Sequence, residues 1–165
     1  MADTELSALL AALNSKRTHV LGILEGLDEE ALRRPVLPSG WTCLGLVHHL
    51  ALDDEKFWFR AVAAGDRTAI AEILGSGNSA WHPAPEKTPE EVFALYRREA
   101  GLADAFLAAA DLDAPPAWWP DFFSGWQHDT LREVILHVIT ETATHAGHLD
   151  AVRELIDGRQ RLVVP

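Results

Sequence analysis

Leu6, Leu9, Leu10, Leu13, Val20, Leu21 and Leu24 recur three, four and seven positions apart, which sets them along one side of a helix. The pattern predicts a first helix from about Asp3, as N-cap, to a stop at Gly26. A second begins after "PSGWT" with Thr42 as N-cap and continues to about Gly65; Leu46, Val47, Leu50, Phe57 and Ala61 define its apolar arc. The third opens at "KTPEE". Thr88 is its N-cap, Pro89 its first residue and Glu91 the partner that reaches back, and it runs to about Ala110. The fourth starts at Asp129 or Thr130, with Glu133 completing a capping box, and stops at Gly158. No stretch sustains the apolar–polar alternation of a strand. Four long helices, each with one apolar stripe, predict an all-α four-helix bundle forming a single domain over residues 1–165. The connection after Gly65 is long and is expected to hold a short helix around Ala69 to Leu74. A second long connection, "DLDAPPAWWPDFFSGWQH", is rich in Pro and Trp. Such lengths argue against a simple up-down-up-down order.

The fourth helix carries a polar stripe beside its apolar one. At about 100° per residue, with His137 at zero, Glu141 falls near 40°, His145 near 80° and His148 near 20°. Val134 and Leu131 lie on or next to the same arc, so the stripe adjoins the buried face. An unpaired buried Glu costs several kcal/mol, whereas a cation satisfies the carboxylate and the imidazoles together. Glu and His four apart can chelate one ion from one helix, as bundle cores commonly do. The second helix offers a further ligand in "GLVHHLALDD"; the spacing leaves both His48 and His49 open. Asp53, one turn after His49, is placed to orient it.

Composition narrows the partners. A formal net charge of −11 argues against a nucleic-acid or anionic-membrane binder, and no stretch approaches the length of a membrane span. The acidic N-terminus is unlike a signal peptide, and the one cysteine, Cys43, permits no internal disulfide. Both point to the cytoplasm. Cys43 at a helix start would have its pKa lowered by the dipole, but it lies about 9 Å of rise from His49 and is expected to be structural.

"SGWTCLGLVHHLA" followed by "ETATHAGHLD" resembles the DinB-like superfamily, including mycothiol-dependent maleylpyruvate isomerase and the bacillithiol and mycothiol S-transferases. The order of elements matches over nearly the whole chain. The family's Trp-Thr turn leading to His-Leu falls on Trp41, Thr42, His49 and Leu50, so the resemblance assigns the ligand role to His49 rather than His48. Its second motif falls on Glu141, His145 and His148. The resemblance implies an up-down-down-up bundle and a divalent metal, most often zinc with nickel or iron as alternatives, held by His49, Glu141 and His145 with open positions. The maleylpyruvate isomerase also has a C-terminal domain that helps form its active site, for which the sequence to Pro165 leaves no room.

Two histidines and one carboxylate with exchangeable water is the pattern of a catalytic zinc site. A metal-bound thiol is deprotonated, and the thiolate is a nucleophile. The expected activity is a metal-dependent S-transferase or isomerase in which a small-molecule thiol, mycothiol, attacks a small electrophile. The alternatives are a non-catalytic metal-binding protein, a metal-dependent hydrolase or a non-haem iron enzyme. His148 and His137 are the candidate catalytic residues, as proton carriers beside the ligands. Trp81, Trp118, Trp119 and Trp126 either roof a pocket or cap the bundle ends, His82 and His128 are expected in solvent, and an apolar edge around Trp58 and Phe59 is expected to support a homodimer.

Overall fold

The computed structural model describes residues 2–77 and 80–161. Among them the regular structure is entirely helical. Four long helical segments dominate, and local capping signals set several of their ends. Helix α1, Ala2–Leu24, starts one residue before Asp3. A short helix α2, Glu29–Arg33, follows, capped by the Asp28 side chain; the apolar periodicity gave no sign of it. Helix α3, Cys43–His49, is capped by the Thr42 hydroxyl, which accepts from the Gly45 amide. Helix α4, Arg67–Gly75, lies in the first long connection where a short helix was expected, with Asp66 as its cap. Helices α5, Pro89–Leu107, and α6, Leu131–Asp157, both open with complete capping boxes, Thr88 with Glu91 and Thr130 with Glu133. Helix α6 ends where Gly158 turns left-handed at φ 77°. A single 3₁₀ turn, Asp121–Phe123, interrupts the second long connection.

Helix α3 does not stop at His49. It widens without a break into a π-helical stretch, Leu50–Ala63, whose end shows the wider register directly: the Ala64 amide donates to the Phe59 carbonyl. This changes which side chains point inward. An i→i+5 helix advances by roughly 80° per residue instead of 100°, so an α-helical projection is wrong by about half a turn after ten residues. Phe59 and Trp58, expected on an outer edge, are 0% and 5% exposed. That edge is interior, and the basis for a homodimer there is gone. The same widening buries Asp54, Glu55 and Lys56.

Two apolar clusters fill the interior. One gathers Val20, Ile23 and Leu24 of α1 with Leu44, Leu46, Leu50, Val92, Tyr96, Leu149 and Val152. The other gathers Leu13 with Phe57, Phe59, Val62, Ala103, Leu107, Leu131 and Val134. Helix α1 therefore runs from the second cluster to the first. The α3–π segment and α5 run from the first to the second, and α6 returns. Helix α1 packs along α6, and the π stretch packs against both α5 and α6. Among the described residues no helix is long and apolar enough to cross a membrane.

Candidate functional site

The α3–π segment and α6 bring the two sequence motifs together at the edge of a pocket of about 530 Å³. His49, Asp53, Asp54, Glu141 and His137 line it, while α4 contributes Glu72 and Ile73 and the aromatic connection contributes Phe122 and Phe123. That volume is ordinary for a small-molecule site.

His48 and His49 are separated by their partners. His48 is buried, is not among the pocket-lining residues, and its Nδ1 is 2.7 Å from the Ala80 carbonyl. His49 is hydrogen-bonded through Nδ1 to Asp53 Oδ2 at 2.7 Å, so that with Nδ1 as donor its Nε2 keeps a free lone pair. Its ring lies edge-on to His145, with centroids 5.1 Å apart, and Trp81 stacks on it at 4.0 Å. Of the expected roles for the tryptophans, Trp81 is thus a roof over His49. Helix α3 comes close enough for this because Gly45 has no side chain: a Cβ there would meet the Trp81 carbonyl oxygen at 2.3 Å. Gly45→Ala is expected to lose about 1–3 kcal/mol and to loosen Trp81 from His49, as measured by thermal unfolding and by a shifted tryptophan emission.

His145 is half-buried and poorly satisfied. Its Nδ1 is buried without a hydrogen-bond partner, and its Nε2 lies 3.7 Å from Glu141 Oε2, too far for a hydrogen bond. Burial, with His49 and His148 nearby, lowers its pKa to about 4, so the ring is neutral at pH 7 and its lone pair is available. The spacing of the two imidazoles can be tested against a metal. With Zn–N near 2.0–2.1 Å and tetrahedral angles, two ring centroids on one ion stand about 5 Å apart, close to the observed separation. The donor chemistry of His49, Glu141 and His145 also suits zinc. The side chains are not, however, drawn onto one point. Among the described residues no three His, Cys, Asp or Glu form a group that could hold an ion. Glu141 is the open member, with its side chain 42% exposed on the pocket wall.

The remaining candidates diverge. His148 is exposed, 5.5 Å from His145 and 6.3 Å from Trp41 between ring centroids, on the outer side. His137 lines the pocket but sits in an aromatic box, 4.4 Å from Trp58 and 5.2 Å from His128. Burial and the neighbouring His128 lower its pKa. His128 is not a solvated loop residue: Trp58, Trp119 and Trp126 enclose it, its Nε2 is buried without a partner, and burial lowers its pKa. His82 is exposed as expected. Cys43 is fully buried, and desolvation raises its thiol pKa to about 11, overcoming any help from the helix dipole. It is inert at neutral pH. Two pocket residues carried no signal in the apolar pattern. Asp54 is buried with Oδ2 unpartnered, and burial, together with Glu141, Glu55 and Asp53, pushes its carboxyl well above the usual range. Lys56 also lines the pocket, paired with Glu72.

A family model described as mycothiol-S-transferase matches residues 8–158 of the chain. No curated protein matches it significantly.

Proposed function

Because the chain belongs to the mycothiol-S-transferase family, we propose that it transfers the thiol of mycothiol to a small electrophile, assisted by a divalent ion at His49, Glu141 and His145. The observation that carries the metal is the meeting of two neutral-capable imidazoles from distant helices at 5.1 Å, one with an orphaned buried nitrogen. Zinc is the ion of choice for this donor set. When bound, it supplies a lowered thiol pKa and Lewis acidity.

The chain's own residues do the rest. Asp53 holds the Nδ1 proton of His49 and so fixes which nitrogen faces the pocket. Trp81 stacks on one face of that ring. Glu141, on the pocket wall, would complete the set. His137 lines the pocket, is held towards its neutral form by burial and the neighbouring His128, and would take the proton released as the thiol binds. His148, on the outer rim beside His145, offers a second proton acceptor to the polar body of the thiol. Cys43 takes no part. The traversal of the two apolar clusters supports an up-down-down-up bundle, and a reduced thiol cosubstrate fits a cytoplasmic protein.

The test is spectroscopic. Cobalt-substituted protein is expected to develop an intense sulfur-to-metal charge-transfer band in the near ultraviolet when mycothiol is added, and no such band in His145→Ala protein that has lost cobalt. A cobalt-replete protein with no band at millimolar mycothiol would sink the transferase reading.

A further inference from the structure

Among the described residues that line the pocket, Lys56 is the one lysine or arginine. It stands seven residues beyond His49 on the same continuous helix, and the π-helical register turns it inward, to 9% exposure. A lysine so buried is rare unless paired. Its partner is the carboxylate of Glu72, which reaches over from α4 and is itself 54% exposed. The pair is therefore asymmetric: the cation is fixed inside the pocket, and the anion is a detachable group at its rim, able to return to water. The pocket that His49 and Lys56 share also has an apolar and aromatic part to its lining, with Leu52, Phe57, Ile73, Phe122 and Phe123. The other carboxylates do not compete for the ammonium. Asp53 is bound to His49, Glu141 lies beside His145, and burial pushes the carboxyl of Asp54 towards its neutral form.

We propose that the electrophilic substrate carries a carboxylate, separated by an apolar or aromatic body from its reacting carbon, and that Lys56 anchors this carboxylate by displacing Glu72. The inference rests on the transferase reading and adds the class of acceptor to it. Glu72 serves as a place-holder that neutralises Lys56 in the free protein and as a filter, since a neutral acceptor cannot compete it away.

Binding can be read without turnover. Zinc-loaded protein is titrated with 3-phenylpropanoate and with its neutral isostere 3-phenylpropanamide, followed by tryptophan emission, since Trp58 lines the pocket. Lys56→Met is expected to weaken the anion about tenfold or more and to leave the amide unchanged. Glu72→Gln, at an exposed position that folding does not depend on, is expected to tighten the anion several-fold by freeing the ammonium. A merely structural pair would not give opposite shifts in the two variants. Equal shifts of anion and amide in Lys56→Met, or an unchanged anion in Glu72→Gln, would overturn the proposal. Charge selectivity with no cobalt–thiolate band would remove the transferase reading alone; the band without selectivity would remove only the role of Lys56.

Discussion

His49→Ala combined with His145→Ala is expected to take bound divalent metal from one equivalent per chain to none after dialysis, with helix content unchanged. Neither side chain belongs to either apolar cluster, so their loss leaves the packing intact. They are also the two donors already at a metal-compatible separation. Glu141, half exposed, cannot hold an ion alone. A graded series sharpens the result. Asp53→Asn, which weakens the hold on His49 Nδ1, is expected to cost about 10–100-fold in metal affinity, the usual scale for a group that orients a ligand. His48→Ala is expected to keep the metal, because His48 is turned to the Ala80 carbonyl. Elemental analysis and chelator competition measure all three. A double variant that binds metal like the parent would refute the assignment.

The parts of this fold that were legible in the sequence are those written locally. The capping boxes at Thr88 and Thr130 and the Gly158 stop involve residues within a few positions of each other, and the helices open and close at them. Glu141 and His145 are likewise neighbours on one turn, and the choice of His49 came from a motif. The angular projection along the second long helix held for Phe57 and Ala61, which are buried, and failed for Trp58 and Phe59. A change from i→i+4 to i→i+5 bonding leaves no signature in the spacing of apolar residues, yet it rotates everything after it. Trp58 and Phe59 lie in the interior rather than on an outer edge for that reason, and Asp54 and Lys56, which the apolar pattern did not single out, line the pocket. The roof residue Trp81 and the enclosure of His128 depend on how long connections fold back, which the local pattern does not encode.

Arg17 and Glu55 were equally silent, being 38 residues apart, and they carry the largest stability effect expected here. Glu55 is fully buried, Arg17 is 5% exposed, and they meet in a two-pronged ion pair: Nε donates to Oε1 at 2.7 Å and Nη2 to Oε2 at 2.6 Å. Arg17 Nη1 also donates to Asn14 and Asp104. Burial alone would push Glu55 towards its neutral acid, and the guanidinium opposes that. Removing one partner strands the other charge away from water. Glu55→Ala is therefore expected to cost about 3–5 kcal/mol, a fall in Tm on the order of 10 °C for a chain of this size. The pair is a poor source of net stability, however, because desolvation offsets most of its attraction. Arg17→Met with Glu55→Leu, which fills similar volume without charge, is expected to be more stable than either single variant; Asp104, with 42% of its side chain exposed, can turn to water. A double variant as destabilised as the sum of its parts would show instead that the two side chains act independently, and that a stranded charge does not explain the single losses.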